Sequence, residues 1–178
     1  TGTTPKFFWD ASAESLGIGT SSPTAGSKLH VSGGDLRITD TYPTLYLDGS
    51  VGGKVWSFLE ESTGNLSIRV DDAPKVTIDA SGNLGLGVTP SAFIGSYRAF
   101  QTGTTSLFSG GAGFEFLSSN AYVGTGDVFR YIQSSLPATA YRFNSAVGDH
   151  RWLIAPSGTA GAGITFTQAM TLDASGNL

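Results

Sequence analysis

The stretch Met170-Thr171-Leu172-Asp173-Ala174-Ser175-Gly176-Asn177-Leu178 repeats Val76-Thr77-Ile78-Asp79-Ala80-Ser81-Gly82-Asn83-Leu84 almost letter for letter. A weaker copy, Phe8 to Leu16, stands near the start, and it and the middle copy run on into Gly17-Ile18-Gly19 and Gly85-Leu86-Gly87. The likeness is longer than this signature. Leu45 and Tyr141, Leu47 and Phe143, Val51 and Val147, Gly52 and Gly148, and Trp56 and Trp152 all stand 96 residues apart. Asp79 and Asp173 are 94 apart, so one copy has lost two residues after its tryptophan. A chain that repeats a strand-and-turn unit is constrained to architectures in which each unit buries its apolar face against a neighbour.

The unit reads as strand, glycine turn, tryptophan strand, variable loop, strand and Asp-Ala-Ser-Gly-Asn turn. The 25 glycines and 7 prolines, with many Ser and Thr, divide the 178 residues into short apolar runs of strand length. Lys54 to Leu59, Leu66 to Val70 and Ile164 to Thr167 alternate apolar and polar residues, which assigns each a strand with two unlike faces. No amphipathic helical pattern occurs. The expected fold class is all-β: repeated small β modules, sandwich-like or prism-like, along a fibre as a parallel homotrimer. The expected divisions are the end of a preceding repeat with its connecting hairpin at 1–23, a first module at 24–90 and a second at 91–178. The second carries an aromatic-rich insertion at about 104–135. The start at Thr1 and the stop at Leu178, before the expected Gly-x-Gly, suggest a piece of a longer polypeptide.

Net charge is −4 with 10 Lys plus Arg and no basic cluster, which argues against nucleic-acid binding. Without cysteine the chain has neither disulfides nor thiolate metal sites. No apolar run approaches the roughly 20 residues of a membrane-spanning helix, so membrane insertion is not expected. Hydrophobic residues make up 39% of the chain, enough for a modest core, so a folded chain is expected.

In the repeated signature, aliphatic residues flank a cluster of turn formers. Asp79 and Asp173 can accept bonds from their own downstream backbone, while Gly82, Asn83, Gly176 and Asn177 can adopt positive φ, so each copy reads as a β-hairpin turn. The alternate oxygen ligands resemble a calcium loop, but the further carboxylates and the distal bidentate Glu are missing; no metal is assigned. Alternating glycines in Leu84-Gly85-Leu86-Gly87 leave one strand face bare, so a backbone can approach closely, as at a threefold axis. Short strands with open edges and a small core favour association of identical chains.

Gly17-Ile18-Gly19-Thr20-Ser21-Ser22-Pro23 with Lys28 to Gly34, and Ala155 to Gly161 leading through Ile164 to Asp173, resemble repeats of bacteriophage tail-fibre proteins, especially marine ones. The resemblance covers nearly the whole chain. It implies a homotrimeric, β-rich fibre on a virion, whose distal parts contact a bacterial surface glycan or protein and whose other partners are virion or tail proteins. Some such proteins end in a self-cleaving chaperone domain, of which nothing is visible here, and similar repeats occur in head fibres.

A catalytic centre is not expected. His30 and His150 are isolated and read as strand residues, the alternative being three imidazoles around an axis. Glu60-Glu61 and Asp71-Asp72 put neighbouring carboxylates on opposite faces, whereas a glycosidase pair converges across a cleft. No nucleophile elbow, phosphate loop or dinucleotide fingerprint occurs, and no cofactor is implied. The insertion is rich in aromatics, most of them expected in the core of an added sheet, as are Phe114 and Phe116 at period two. Tyr122, Asn120 and Asp127 are the candidate receptor or glycan contacts there. Trp56 and Trp152, equivalent in the two modules, point to module packing.

The expected function is a structural and adhesive fibre segment for host attachment on a virion. The alternatives are a capsular polysaccharide depolymerase spike and a cellular surface adhesin repeat.

Overall fold

A computed structural model describes residues 6–49, 52–110 and 113–178, and among these the fold is all-β, with no helix. The chain forms two compact units, 1–40 and 41–178.

In the first unit, β1 (Phe7–Asp10) and β2 (Ser15–Ile18) form an antiparallel hairpin, and β3 (Leu29–Val31) lies parallel to β2. The hairpin turns because Asp10 accepts bonds from the Ser12 and Ala13 N–H groups and the Ser12 hydroxyl.

The second unit holds one eleven-stranded sheet. Its first half is an antiparallel meander of β4 (Thr44–Asp48), β5 (Val55–Glu60), β6 (Leu66–Val70), β7 (Ala73–Ile78) and β8 (Leu84–Leu86). Asp71 and Asp72, both at positive φ, make the turn from β6 to β7. A crossover then places β9 (Tyr97–Thr102) parallel to β8. The meander resumes through β10 (Thr105–Gly110) and β11 (Phe114–Ser119). Here β12 (Ala121–Gly124) and β13 (Val128–Tyr131) leave as a separate hairpin, and β14 (Ala138–Asn144) returns beside β11, followed by β15 (Asp149–Ala155) and β16 (Thr167–Leu172).

Ile164 to Phe166 are not strand, contrary to their alternating pattern; the strand begins at Thr167. The alternation is real but serves another end. Ile164 and Phe166 turn inward against the hairpin, where the Phe166 ring meets Phe129 edge-on at 5.1 Å.

The core lies where the hairpin covers the sheet. Phe93, Phe108, Phe116, Val123 and Ala140 form one buried cluster, and Ala121, Tyr131, Ala138, Ala155 and Ile164 a second, with Phe129 and Phe166 packed against both. Phe108 stacks on Phe116 at 5.2 Å and meets Phe93, Tyr97 and Phe129 at 5.2 to 6.2 Å. The aromatics at period two thus build a core, as alternation on a covered sheet requires. Every buried hydrophobic residue among those described lies at 93 or later. Strands β4 to β8 contribute none.

Candidate functional site

The repeated signature is a turn in both full copies. Asp79 accepts from the N–H groups of Ser81 (2.9 Å) and Asn83 (2.8 Å) and from the Asn83 side-chain amide (2.8 Å). Asp173 accepts the same three bonds from Ser175 and Asn177, at 2.8 to 2.9 Å. Gly82 and Gly176 both have φ of 84°, the left-handed region that glycine occupies without steric cost. These bonds, with the Asn177 amide first, hold the Asp173 carboxyl below its usual range. Asn83 is fully buried and accepts from the Ala99 N–H at 3.0 Å, so this turn is stapled to β9. Replacing Asp79 by alanine is expected to cost about 1–2 kcal/mol, because three donors lose their acceptor. Urea denaturation measures it, and a cost indistinguishable from zero would refute this account of the turn.

The close approach expected at the glycines exists, but the approaching backbone is the chain's own. A Cβ on Gly85 would stand 2.1 Å from the Val88 carbonyl oxygen and 2.9 Å from Pro90 Cδ, and one on Gly17 would stand 2.4 Å from the Thr20 oxygen. At Gly17 and Gly85 the chain's own backbone thus occupies the bare strand face, whereas a Cβ on Gly87 would meet nothing within 4 Å. After Gly17 and after Gly85, the chain bends back over the bare strand face and enters a parallel strand through a shared stitch. The Thr24 N–H donates to His30 Nδ1 at 3.0 Å, and the Ser91 N–H donates to Gln101 Oε1 at 2.8 Å. His30 pairs with Gly17 and Gln101 with Gly85, so the two acceptors are equivalent. The sequence signal was present in Ser22-Pro23-Thr24-Ala25 and Thr89-Pro90-Ser91-Ala92. We expect H30Q to keep the stability of the first unit and H30A to lower it by about 1 kcal/mol. Amide exchange at Thr24 reads the difference, and equal protection in the two variants would refute the stitch.

The three candidate contact residues do not converge. Asn120, at positive φ and 1% exposed, donates to the carbonyls of Gln133, Leu136 and Pro137 and accepts from the Gln133 N–H, so its amide is engaged in internal ties. Tyr122 is half-buried, its ring edge-on to Phe93 at 5.8 Å. Asp127 is exposed in the turn at the far end of the hairpin. Four residues of β12 separate it from Asn120, about 13 Å of strand.

Glu60 and Glu61 likewise diverge. Glu61 accepts from the Ser67 hydroxyl and pairs with Arg69, while Glu60 ends β5 exposed. The Ser67 bond, then Arg69, hold the Glu61 carboxyl below its ordinary value of 4.5 against the upward push of burial. A depressed carboxyl stabilises the fold above its unfolded value, and this contribution disappears as the pH falls through the lower folded value. The melting temperature of the chain is therefore expected to fall in acid below pH 4.5, and E61Q to flatten that part of the profile. An unchanged slope would exclude the Glu61 contribution. His150 shares a 2.6 Å hydrogen bond with the Tyr141 hydroxyl. Among the described residues, no group of three His, Cys, Asp or Glu could hold a metal ion, and no helix is long and apolar enough to cross a membrane.

What the sheet does assemble is a long apolar surface. Register places Leu66, Ile78, Leu84, Phe100, Leu107, Leu117, Tyr141, Trp152 and Met170 opposite one another across nine strands. No residue in this row is charged. Leu66, Leu107 and Leu117 are 45%, 51% and 48% exposed, and Leu45, Phe58 and Leu86 continue the exposed surface in the flanking row. The reverse face carries Ser67, Thr77, Gly85, Gln101, Ser106 and Ser118, all buried. Trp56 and Trp152 lie on the apolar side of the sheet, Trp152 with its ring 4.9 Å from that of Tyr141.

No protein-family model matches the sequence, and no curated protein or solved structure matches it.

Proposed function

We propose that the chain is a structural and adhesive segment of a phage tail fibre or other virion fibre. Its repeated β modules form a shaft in three identical parallel copies and present receptor-binding surfaces to a bacterial glycan or protein. The observation that best supports this reading is the recurrence of one geometry. The turns at Asp79 and Asp173 share their bonds, and the crossovers after Gly17 and Gly85 share their stitch. Such a unit adds strands side by side and can be extended by repetition, which suits a shaft more than a cleft. Three copies would also present each weak receptor contact three times, so that avidity replaces a deep pocket. Asp127 at the hairpin tip is the exposed member of the three candidate contact residues.

Antibodies raised against the purified chain, with immunogold microscopy of the virions, test the reading. Label along tail or head fibres is expected. Label confined to bacterial envelopes would overturn it in favour of a cellular adhesin, and release of reducing ends from host capsule would overturn it in favour of a depolymerase.

A further inference from the structure

We infer that the exposed apolar face of the eleven-stranded sheet is the surface through which identical copies of this chain associate, with the uncharged nine-residue row at its centre. The inference rests on the self-association in the proposed function and adds which surface mediates it.

Three observations carry it. First, the burial of the sheet is inverted over β4 to β8. An antiparallel sheet with one covered face directs large apolar residues to the cover and polar residues to water. Here Ser57, Ser67 and Thr77 are buried, while Trp56, Phe58, Leu66 and Ile78 are exposed, and no hydrophobic residue of these five strands is buried. A half-sheet of this kind lacks a core of its own, and only a cover on the apolar side supplies one.

Second, the surface has the size of a stable interface. Eleven strands at about 4.8 Å and three rows spanning about 14 Å give roughly 700 Å² in projection. Each partner in a stable association contributes about 800 Å², so the face as a whole, with the polar residues of its flanking rows as a rim, is of that order.

Third, the chemistry selects a copy of the same chain over a charged or sugar-like partner. From Leu66 to Met170 the row presents aliphatic, aromatic and thioether side chains with no charge, the Tyr141 hydroxyl being engaged by His150, and the charged residues of this face, Glu60, Arg98 and Glu115, stand at its end or in the next row. A row without charge complements another like itself, and sheets packed face to face interdigitate such rows about 10 Å apart. The two halves of the sheet are alike as well: each puts a large apolar residue opposite its tryptophan, Leu47 against Trp56 and Tyr141 against Trp152, which a receptor site confined to one half would not need.

Sedimentation equilibrium of the purified chain, with L107E/L117E beside it, tests the inference. Leu107 is the middle residue of the row. The wild-type chain is expected at three times 18.4 kDa and the double variant at 18.4 kDa with its β-sheet circular dichroism retained. Because the chain has no cysteine, L107C and D127C can each be labelled singly with pyrene, a readout that does not require breaking the assembly. Excimer emission is expected at position 107 and not at 127. A wild-type trimer with no excimer at 107, or a folded double variant that stays trimeric, overturns this surface while leaving the fibre reading intact. A wild-type chain that sediments as a monomer overturns both. Should the double variant unfold, the excimer comparison decides alone.

Discussion

Replacing Phe108 by alanine is expected to lower the stability of the second unit by about 3–5 kcal/mol, the cost of a large cavity in a core that cannot collapse. Phe108 is 2% exposed and surrounded by four aromatic rings held on three different segments of chain. Phe100, on the adjacent strand β9 but on the opposite face and 39% exposed, is the control. F100A in a monomeric background is expected to cost below about 1 kcal/mol, since little area is lost from the core. Urea denaturation followed by far-ultraviolet circular dichroism measures both. Equal costs would mean that the hairpin does not cover the sheet as described.

Replacing Gly85 by alanine is expected to cost about 3 kcal/mol, at the upper end of what overpacking by a methyl group does. The reason is space. The atoms a Cβ would meet are backbone, the Val88 carbonyl at 2.1 Å, and the ring of Pro90, neither of which can rotate aside. Gly87 separates this from conformational strain, because it has φ of 69° with nothing within 4 Å of an added Cβ. G87A should therefore cost only about 1 kcal/mol. The same contrast is expected in amide exchange, with Ser91 losing protection in G85A and keeping it in G87A. If both variants lose stability equally, the overlying loop is not what the glycine accommodates.

These two positions illustrate what could be read along the chain. The turn at Asp79 was legible because its acceptor and donors lie within four residues of one another, and local chemistry suffices to define it. The alternation of Phe114 and Phe116 identified a buried face for the same reason: strand geometry is periodic and needs no knowledge of the partner. At Gly85 the need for close approach was legible, yet the identity of the approaching backbone was not, since it depends on where a crossover of ten residues returns. Asn120 shows a different obstacle. Beside Tyr122 in a polar, glycine-rich stretch it resembles a surface ligand, but its partners are carbonyls at 133, 136 and 137, brought to it by the return of β14. Ile164 and Phe166 carry a strand's alternation without forming a strand, because packing against Phe129 rewards the same spacing.

Sequence alone determined that this protein is built of β-strands, where its signature turns lie, and which residues share a strand face. Those properties follow from the backbone's period of two and from hydrogen bonds between near neighbours. Tertiary structure alone decided which face is covered. In β9 to β15 the hairpin, the crossover and the segment at 164–166 cover one face, and Phe108 and Phe116 lie under them. The other face, with nine uncharged residues in register, remains open in the single chain. Alternation specifies two faces but not their neighbours, because a neighbour is set by long-range return of the chain or by another molecule.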